Sequence, residues 1–169
     1  MFLDRDGVLN AVVIQDGRPH PPATLADLSI YPDVADSLSR LKQAGFALVV
    51  VTNQPDVARG AQTREMVEAM NAQLSAILPL DEIRVCYHDD VDACSCRKPR
   101  AGLLTAAPHH DLNRSFMVGD RWRDVEAGRN AGCRTVFIDR GYSERQPAAD
   151  ARVTSLTGAV DWILTRDEE

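Results

Sequence analysis

The chain is poor in aromatic residues, 5% of its 169 positions, and has no apolar run near the roughly 18 residues of a membrane-crossing helix. A basic excess is missing too. Nineteen Lys and Arg stand against 25 Asp and Glu, a net charge of −6, so overall charge draws in neither nucleic acid nor an anionic membrane. The first ten residues, MFLDRDGVLN, carry three charges where a secretion signal needs an apolar stretch, so a cytoplasmic location is expected. No repeat, linker or low-complexity tract divides the sequence. What is present is ordinary globular composition, 44% apolar and 26% charged, at the length of one domain, 1–169. An anionic substrate would need a local basic pocket or a metal.

Short apolar, β-branched runs alternate with amphipathic stretches, which predicts an α/β fold: a doubly wound, mostly parallel sheet with helices on both faces. Residues 46–52, FALVVVT, lack period-two alternation and read as a strand buried on both sides. Further strands are expected at 83–87, 115–118 and 135–138, and helices at 32–44, 63–78, 102–107, 122–130 and 156–164. Pro108 should shorten the third of these helices, with His109 and His110 in a solvated end, and 166–169 reads as a polar tail. Only Met1, Phe2 and Leu3 precede Asp4, which is short for a strand inside a sheet. The expectation is a start site upstream of Met1 or a destabilised first strand. Residues 8–28 have room only for a flap, turning at Asp16-Gly17 and around Pro19, Pro21 and Pro22, and no cap domain fits.

In open parallel sheets the site lies beyond the carboxyl ends of the strands. The residues just after each apolar run are unusually polar: Asp4-Arg5-Asp6-Gly7, Thr52-Asn53-Gln54, Arg97-Lys98-Pro99, and Asp120 with Asp124. Asp4 and Asp120, brought together from different strands, require a cation, and oxygen ligands favour Mg²⁺ over Zn²⁺. With Lys98 and the Thr52 hydroxyl, the ion would complete a cage for a phosphoryl group. Asp4 is then the candidate nucleophile. Asp6, past the turn at Gly7, is placed to protonate a leaving oxygen and afterwards to activate water.

Cys86, His88, Cys94 and Cys96 form a C-x-H-x5-C-x-C pattern. In a reducing compartment this suggests metal before disulfide, and four soft or borderline ligands close a tetrahedral shell around a structural Zn²⁺. Reduced thiols or an iron–sulfur site are the alternatives. The loop 86–98 would deliver Arg97 and Lys98 directly after its last ligand. Cys133 reads as a small buried hydrophobe, Trp122 as a packing aromatic at a helix start, and His20 as a flap residue without a role.

The segments DRDGVLN, VTNQ, RKP and VGDRWRD resemble, in order, the four motifs of the haloacid dehalogenase (HAD) superfamily, and the resemblance spans nearly the whole chain. The branch it most resembles contains the heptose bisphosphate and histidinol phosphate phosphatases. The resemblance implies hydrolysis of a phosphomonoester through an aspartyl phosphate on Asp4, with Asp6 as acid and base. It implies Mg²⁺ held by Asp4, the Asp6 carbonyl and Asp120, with Asp124 behind them. Thr52 and Lys98 would stabilise the phosphoryl group, while Asn53, Arg97 and Arg121 would meet the substrate. Zn²⁺ would sit at Cys86, His88, Cys94 and Cys96. The implied partner is a small phosphorylated metabolite, and a monomer is the expectation. TNQPDVARG is nearer the heptose bisphosphate enzymes, although Pro55-Asp56 stands where those have Ser-Gly and Tyr87 where they have Pro. Two non-enzymatic readings remain: a receiver-like phospho-switch, and a degenerate fold kept as a binding module. The first expects an acceptor Asp on a middle strand, and no Asp ends 46–52.

Overall fold

The apolar runs assemble into a single parallel sheet. In the computed structural model, which describes residues 1–106 and 111–166, the strands in chain order are β1 (Phe2–Leu3), β2 (Val13–Gln15), β3 (Arg18–His20), β4 (Val49–Asn53), β5 (Glu82–Cys86), β6 (Phe116–Gly119), β7 (Arg134–Ile138) and β8 (Ala151–Val153). Six of them form one sheet in the order β5-β4-β1-β6-β7-β8, every pair parallel. The helices are α1 (Val34–Gln43), α2 (Pro55–Ala58), α3 (Arg64–Ile77), α4 (Gly102–Thr105), α5 (Trp122–Ala131) and α6 (Leu156–Leu164). Most of the expected solvated helix end, including His109 and His110, and the tail beyond Arg166 lie outside the described residues.

β1 holds the centre of the sheet with two residues because both neighbours pair with it. Phe2 stands between Val49 and Met117, and Leu3 between Val50 and Val118. The ladder runs on past it: the Asp4 amide donates to the Val118 carbonyl at 2.9 Å, and the Met1 ammonium to the Ala47 carbonyl at 2.9 Å. Side chains alternate across a strand. Leu3 accordingly joins the core under α1 and α6 with Leu38, Val50, Val118 and Val160, while Phe2 joins the opposite core with Leu104, Met117 and Ala127. Burying each such side chain contributes about 1.5–3 kcal/mol, which is how so short a strand is held.

Element ends follow local chemistry. The Thr63 hydroxyl accepts from the Met66 amide at 3.2 Å at the start of α3, and the Ser155 hydroxyl does the same for Gly158 at 3.1 Å in α6. Gly132, at φ 83°, closes α5 in the left-handed region. β4 begins three residues later than the expected 46–52, because the Leu48 amide bonds the Asp81 carboxylate at 2.7 Å rather than a strand. α4 is one turn, shorter than the expected 102–107. β8 has no counterpart among the expected elements. The flap is a β2–β3 hairpin turning at Asp16 and Gly17, both at positive φ, as a two-residue hairpin loop demands. Among the described residues no helix is long and apolar enough to cross a membrane.

Candidate active site

β4, β1 and β6 are adjacent and parallel, so their carboxyl ends share one rim and bring Thr52, Asp4 and Asp120 side by side. Lys98 arrives from the loop after the cysteines. Its backbone is gripped by Asn53, whose amide nitrogen donates to the Lys98 carbonyl at 3.1 Å and whose amide oxygen accepts from the Lys98 amide at 3.1 Å. The buried ammonium then meets Asp4 Oδ1 at 2.8 Å, Asp124 Oδ1 at 2.6 Å and the Val51 carbonyl at 2.7 Å, so all three of its donors are engaged. Asp124 stands in the first turn of α5 and also accepts from the Arg121 amide at 3.0 Å.

Asp120 is 1% exposed, yet neither of its carboxylate oxygens has a hydrogen-bond partner. Oxygens of Asp4, Asp120 and Asp124 lie within 4.8 Å of one another. Burial, Asp124 and Asp6 push the Asp4 carboxyl up, against the pull of Lys98, to about 7. Burial and the Asp4 charge push Asp120 well above the usual carboxylate range. One ammonium does not balance three buried acids. An orphaned carboxylate in an all-oxygen donor set fits a hard divalent cation such as Mg²⁺. Gly7, at φ 86°, leaves room for the approach: a Cβ there would lie 1.8 Å from Asp120 Oδ2.

Asp6 faces the same space from beyond the turn. Arg5 reaches its carboxylate at 3.1 Å, Asn10 Nδ2 at 2.9 Å and Gln54 Nε2 at 2.8 Å. Sequence reasoning assigned no role to these three residues. The available signal was their position within the motif segments, polar side chains at points where the chain enters its core. Arg5 is wholly buried and donates on to Asn71 of α3 at 2.9 Å.

The centre forms the floor of a cleft of about 360 Å³, whose lining also takes in the flap residues Arg18 and His20, Arg59 after α2, and Arg97 and Arg123. His20, read as a flap residue without a role, therefore lines the cleft. Asp90 accepts from Arg97 Nε at 2.7 Å and from Arg123 at 3.3 Å, while Asp89 accepts from Arg59 at 2.7 Å. Arg121 also lines the cleft, and its guanidinium is paired with Glu144. The Arg123 and Arg145 guanidiniums lie over the Trp122 ring, 4.7 and 4.0 Å from its centroid.

The four residues of the C-x-H-x5-C-x-C pattern converge. Cys96 Sγ lies 2.9 Å from Cys86 Sγ and 3.5 Å from Cys94 Sγ, and His88 Nδ1 lies 3.3 Å from Cys96 Sγ. All three thiols are free, and with the imidazole they form a group within 4.8 Å. Cys133 packs in the Phe2 core, as a small hydrophobe would.

Comparison with known proteins identifies the family. Residues 95–160 match the HAD-hydrolase-like family. A D-glycero-D-manno-heptose-1,7-bisphosphate 7-phosphatase of Thermosynechococcus vestitus is 34% identical over 98% of this chain and 95% of its own length. The D-glycero-beta-D-manno-heptose-1,7-bisphosphate 7-phosphatase of Escherichia coli is 34% identical over 97% of this chain and 87% of its own. Among solved structures, the D,D-heptose 1,7-bisphosphate phosphatase of B. bronchiseptica, crystallised with magnesium and phosphate, superposes with a TM-score of 0.81 at 27% identity, covering 98% of both chains. With relatives this similar along almost their whole length, the chain belongs to the haloacid dehalogenase superfamily and is a phosphomonoester hydrolase of the family that contains the heptose bisphosphate phosphatases.

Proposed function

We propose that the protein hydrolyses one phosphate of D-glycero-D-manno-heptose 1,7-bisphosphate, with Asp4 as nucleophile. The observation that carries the chemistry is the unpartnered Asp120 carboxylate beside Asp4 and Lys98. Mg²⁺ held by Asp4, the Asp6 carbonyl and Asp120 would neutralise charge on the transferring phosphoryl group. The Thr52 hydroxyl would donate to a phosphoryl oxygen, and the Lys98 ammonium, kept in place by the Asn53 clamp, would lend its positive charge beside it while it stays bonded to Asp4, Asp124 and the Val51 carbonyl. Asp4 attacks phosphorus while Asp6 protonates the departing sugar oxygen. Asp6 then takes a proton from the water that releases phosphate from Asp4. Asp124 acts through Lys98, whose ammonium it holds at 2.6 Å beside Asp4.

The substrate reading is supported by the named relatives and by the guanidiniums that line the cleft, of which Arg97 would meet a second phosphate and Arg121 would line the wall. Pro55 and Asp56 line the same cleft, so these two departures from the family pattern lie where they would affect which sugar is accepted. The test is phosphate release with Mg²⁺ over both anomers of the heptose bisphosphate, histidinol phosphate and simple sugar phosphates. A heptose bisphosphate anomer turned over at least tenfold better than any other substrate is expected. Preference for another member of the set would overturn the substrate and leave the chemistry standing.

The same reading puts a structural Zn²⁺ at Cys86, His88, Cys94 and Cys96, holding Arg97 and Lys98 at the rim. Purified protein is expected to carry one zinc per chain by elemental analysis. Cys96→Ala should lose both the zinc and most of the activity. Zinc-free protein with full activity in Mg²⁺ would contradict this. The protein is further proposed to work in the cytoplasm as a monomer, one domain over 1–169 with a flap at 8–28, and without nucleic acid or membrane partners. Its net charge of −6 and unpaired cysteines support that placement.

A further inference from the structure

Gln54 follows Thr52 by two residues at the end of β4, the spacing that returns a side chain to the same face of a strand. Its backbone is pinned by a 2.7 Å bond from its amide to the Cys86 carbonyl, and it is buried. A carboxamide nitrogen carries two N–H donors, and here they reach two different acceptors: Thr52 Oγ1 at 2.9 Å and Asp6 Oδ2 at 2.8 Å. Among the described residues, Gln54 is the one donor that touches both. Arg5 and Asn10 also reach Asp6, but their other bonds run to Asn71 and to the Ala11 carbonyl, away from the phosphoryl pocket.

We infer that Gln54 is a positioning residue for the acid step, one amide that fixes the Asp6 carboxylate relative to the Thr52 hydroxyl. The inference rests on the roles proposed above for Asp6 and Thr52. Because Thr52 Oγ1 accepts from Gln54, its own O–H is left to donate to a phosphoryl oxygen in the cleft it lines. The same amide sets the reach of Asp6. In the step concerned, the bond from the Asp4 oxygen to phosphorus forms and the bond from phosphorus to the sugar oxygen breaks. The proton passes from Asp6 to that departing oxygen. An acid held a fraction of an ångström off this line loses catalysis without losing substrate, since Gln54 is buried and is not among the residues that line the cleft.

Leaving-group dependence separates this role from a structural one. A sugar alkoxide must be protonated as it leaves, whereas p-nitrophenolate departs unprotonated, so only the first substrate needs Asp6 before phosphate is transferred. The experiment compares kcat/KM for the sugar phosphate and for p-nitrophenyl phosphate in the wild type, Asp6→Asn, Gln54→Met and Gln54→Asn. Asp6→Asn is expected to lower the sugar-to-aryl ratio by about 10²-fold or more. Both Gln54 variants should lower it about tenfold, with KM for the sugar phosphate within threefold of wild type. Gln54→Asn keeps a buried amide but is too short to reach both partners, and it guards against a methionine variant that fails to fold. If Asp6→Asn is selective and neither Gln54 variant is, the inference falls and the reading of Asp6 stands. If Asp6→Asn also leaves the ratio unchanged, both fall together.

Discussion

Lys98→Met is expected to destabilise the metal-free protein by about 3–5 kcal/mol, the usual cost of removing one partner from a buried charge cluster. Methionine matches the length and apolar stem of lysine, so the loss is not one of packing. It comes from leaving Asp4 and Asp124, both buried and both within 2.8 Å of the missing ammonium, facing each other without a counter-charge. For a chain of this length that free energy corresponds to a fall in the melting temperature on the order of 10 °C, read by thermal unfolding in the presence of a chelator. The loss should shrink as pH falls below about 7, because a neutral Asp4 carboxyl no longer needs the ammonium. A variant as stable as the wild type at pH 8 would show that Lys98 does not balance these acids.

Asp4→Asn should abolish turnover, by on the order of 10⁴-fold or more, since an amide cannot form the acyl phosphate. Its effect on stability should be opposite to that of Lys98→Met. Burial and Asp124 push the Asp4 carboxyl up to about 7, so the ionised side chain is disfavoured where it stands. A neutral amide of the same shape relieves that repulsion, and Lys98 keeps its 2.6 Å contact with Asp124. Without Mg²⁺ the variant is expected to melt at or above the wild-type temperature. Loss of activity with stability retained is the mark of a residue kept for chemistry at the expense of the fold. Turnover above a hundredth of wild type would exclude Asp4 as nucleophile.

The two variants also show what could be read along the chain. The acids, the hydroxyl and the lysine of the centre each directly follow an apolar run, and parallel pairing of those runs is enough to bring them to one rim. The hairpin turn at Asp16-Gly17 and the convergence of Cys86, His88, Cys94 and Cys96 follow from local chemistry and spacing in the same way. The cage around Asp6 does not. Gln54 and Asn71 enter it from partners 48 and 66 residues away, directly and through Arg5, so only the folded chain brings them together. Asn71 left one trace, a polar side chain at a buried position of α3 beside Met70 and Leu74. Asp89 and Asp90 fall between the metal-ligand pairs of the 86–98 loop, and only the structure shows them gripping three arginines of the cleft. β8 has three residues, too few for a periodicity, and it exists because β7 offers it an edge. The short β1 is the reverse case. Its length gave the expectation of an upstream start or a destabilised strand, and only the folded chain shows its two residues paired on both sides.

The claim at the centre of this account is that phosphate passes through a covalent bond to Asp4. Wild-type protein mixed with Mg²⁺ and sugar phosphate, quenched in acid within a turnover and digested for mass spectrometry, tests it directly. The peptide that holds Asp4 should carry one phosphoryl group, labile to hydroxylamine as an acyl phosphate is, and the Asp4→Asn protein should carry none. Steady turnover with the Asp4 peptide unmodified at every quench time, or a phosphoryl group found on another residue, would contradict the account.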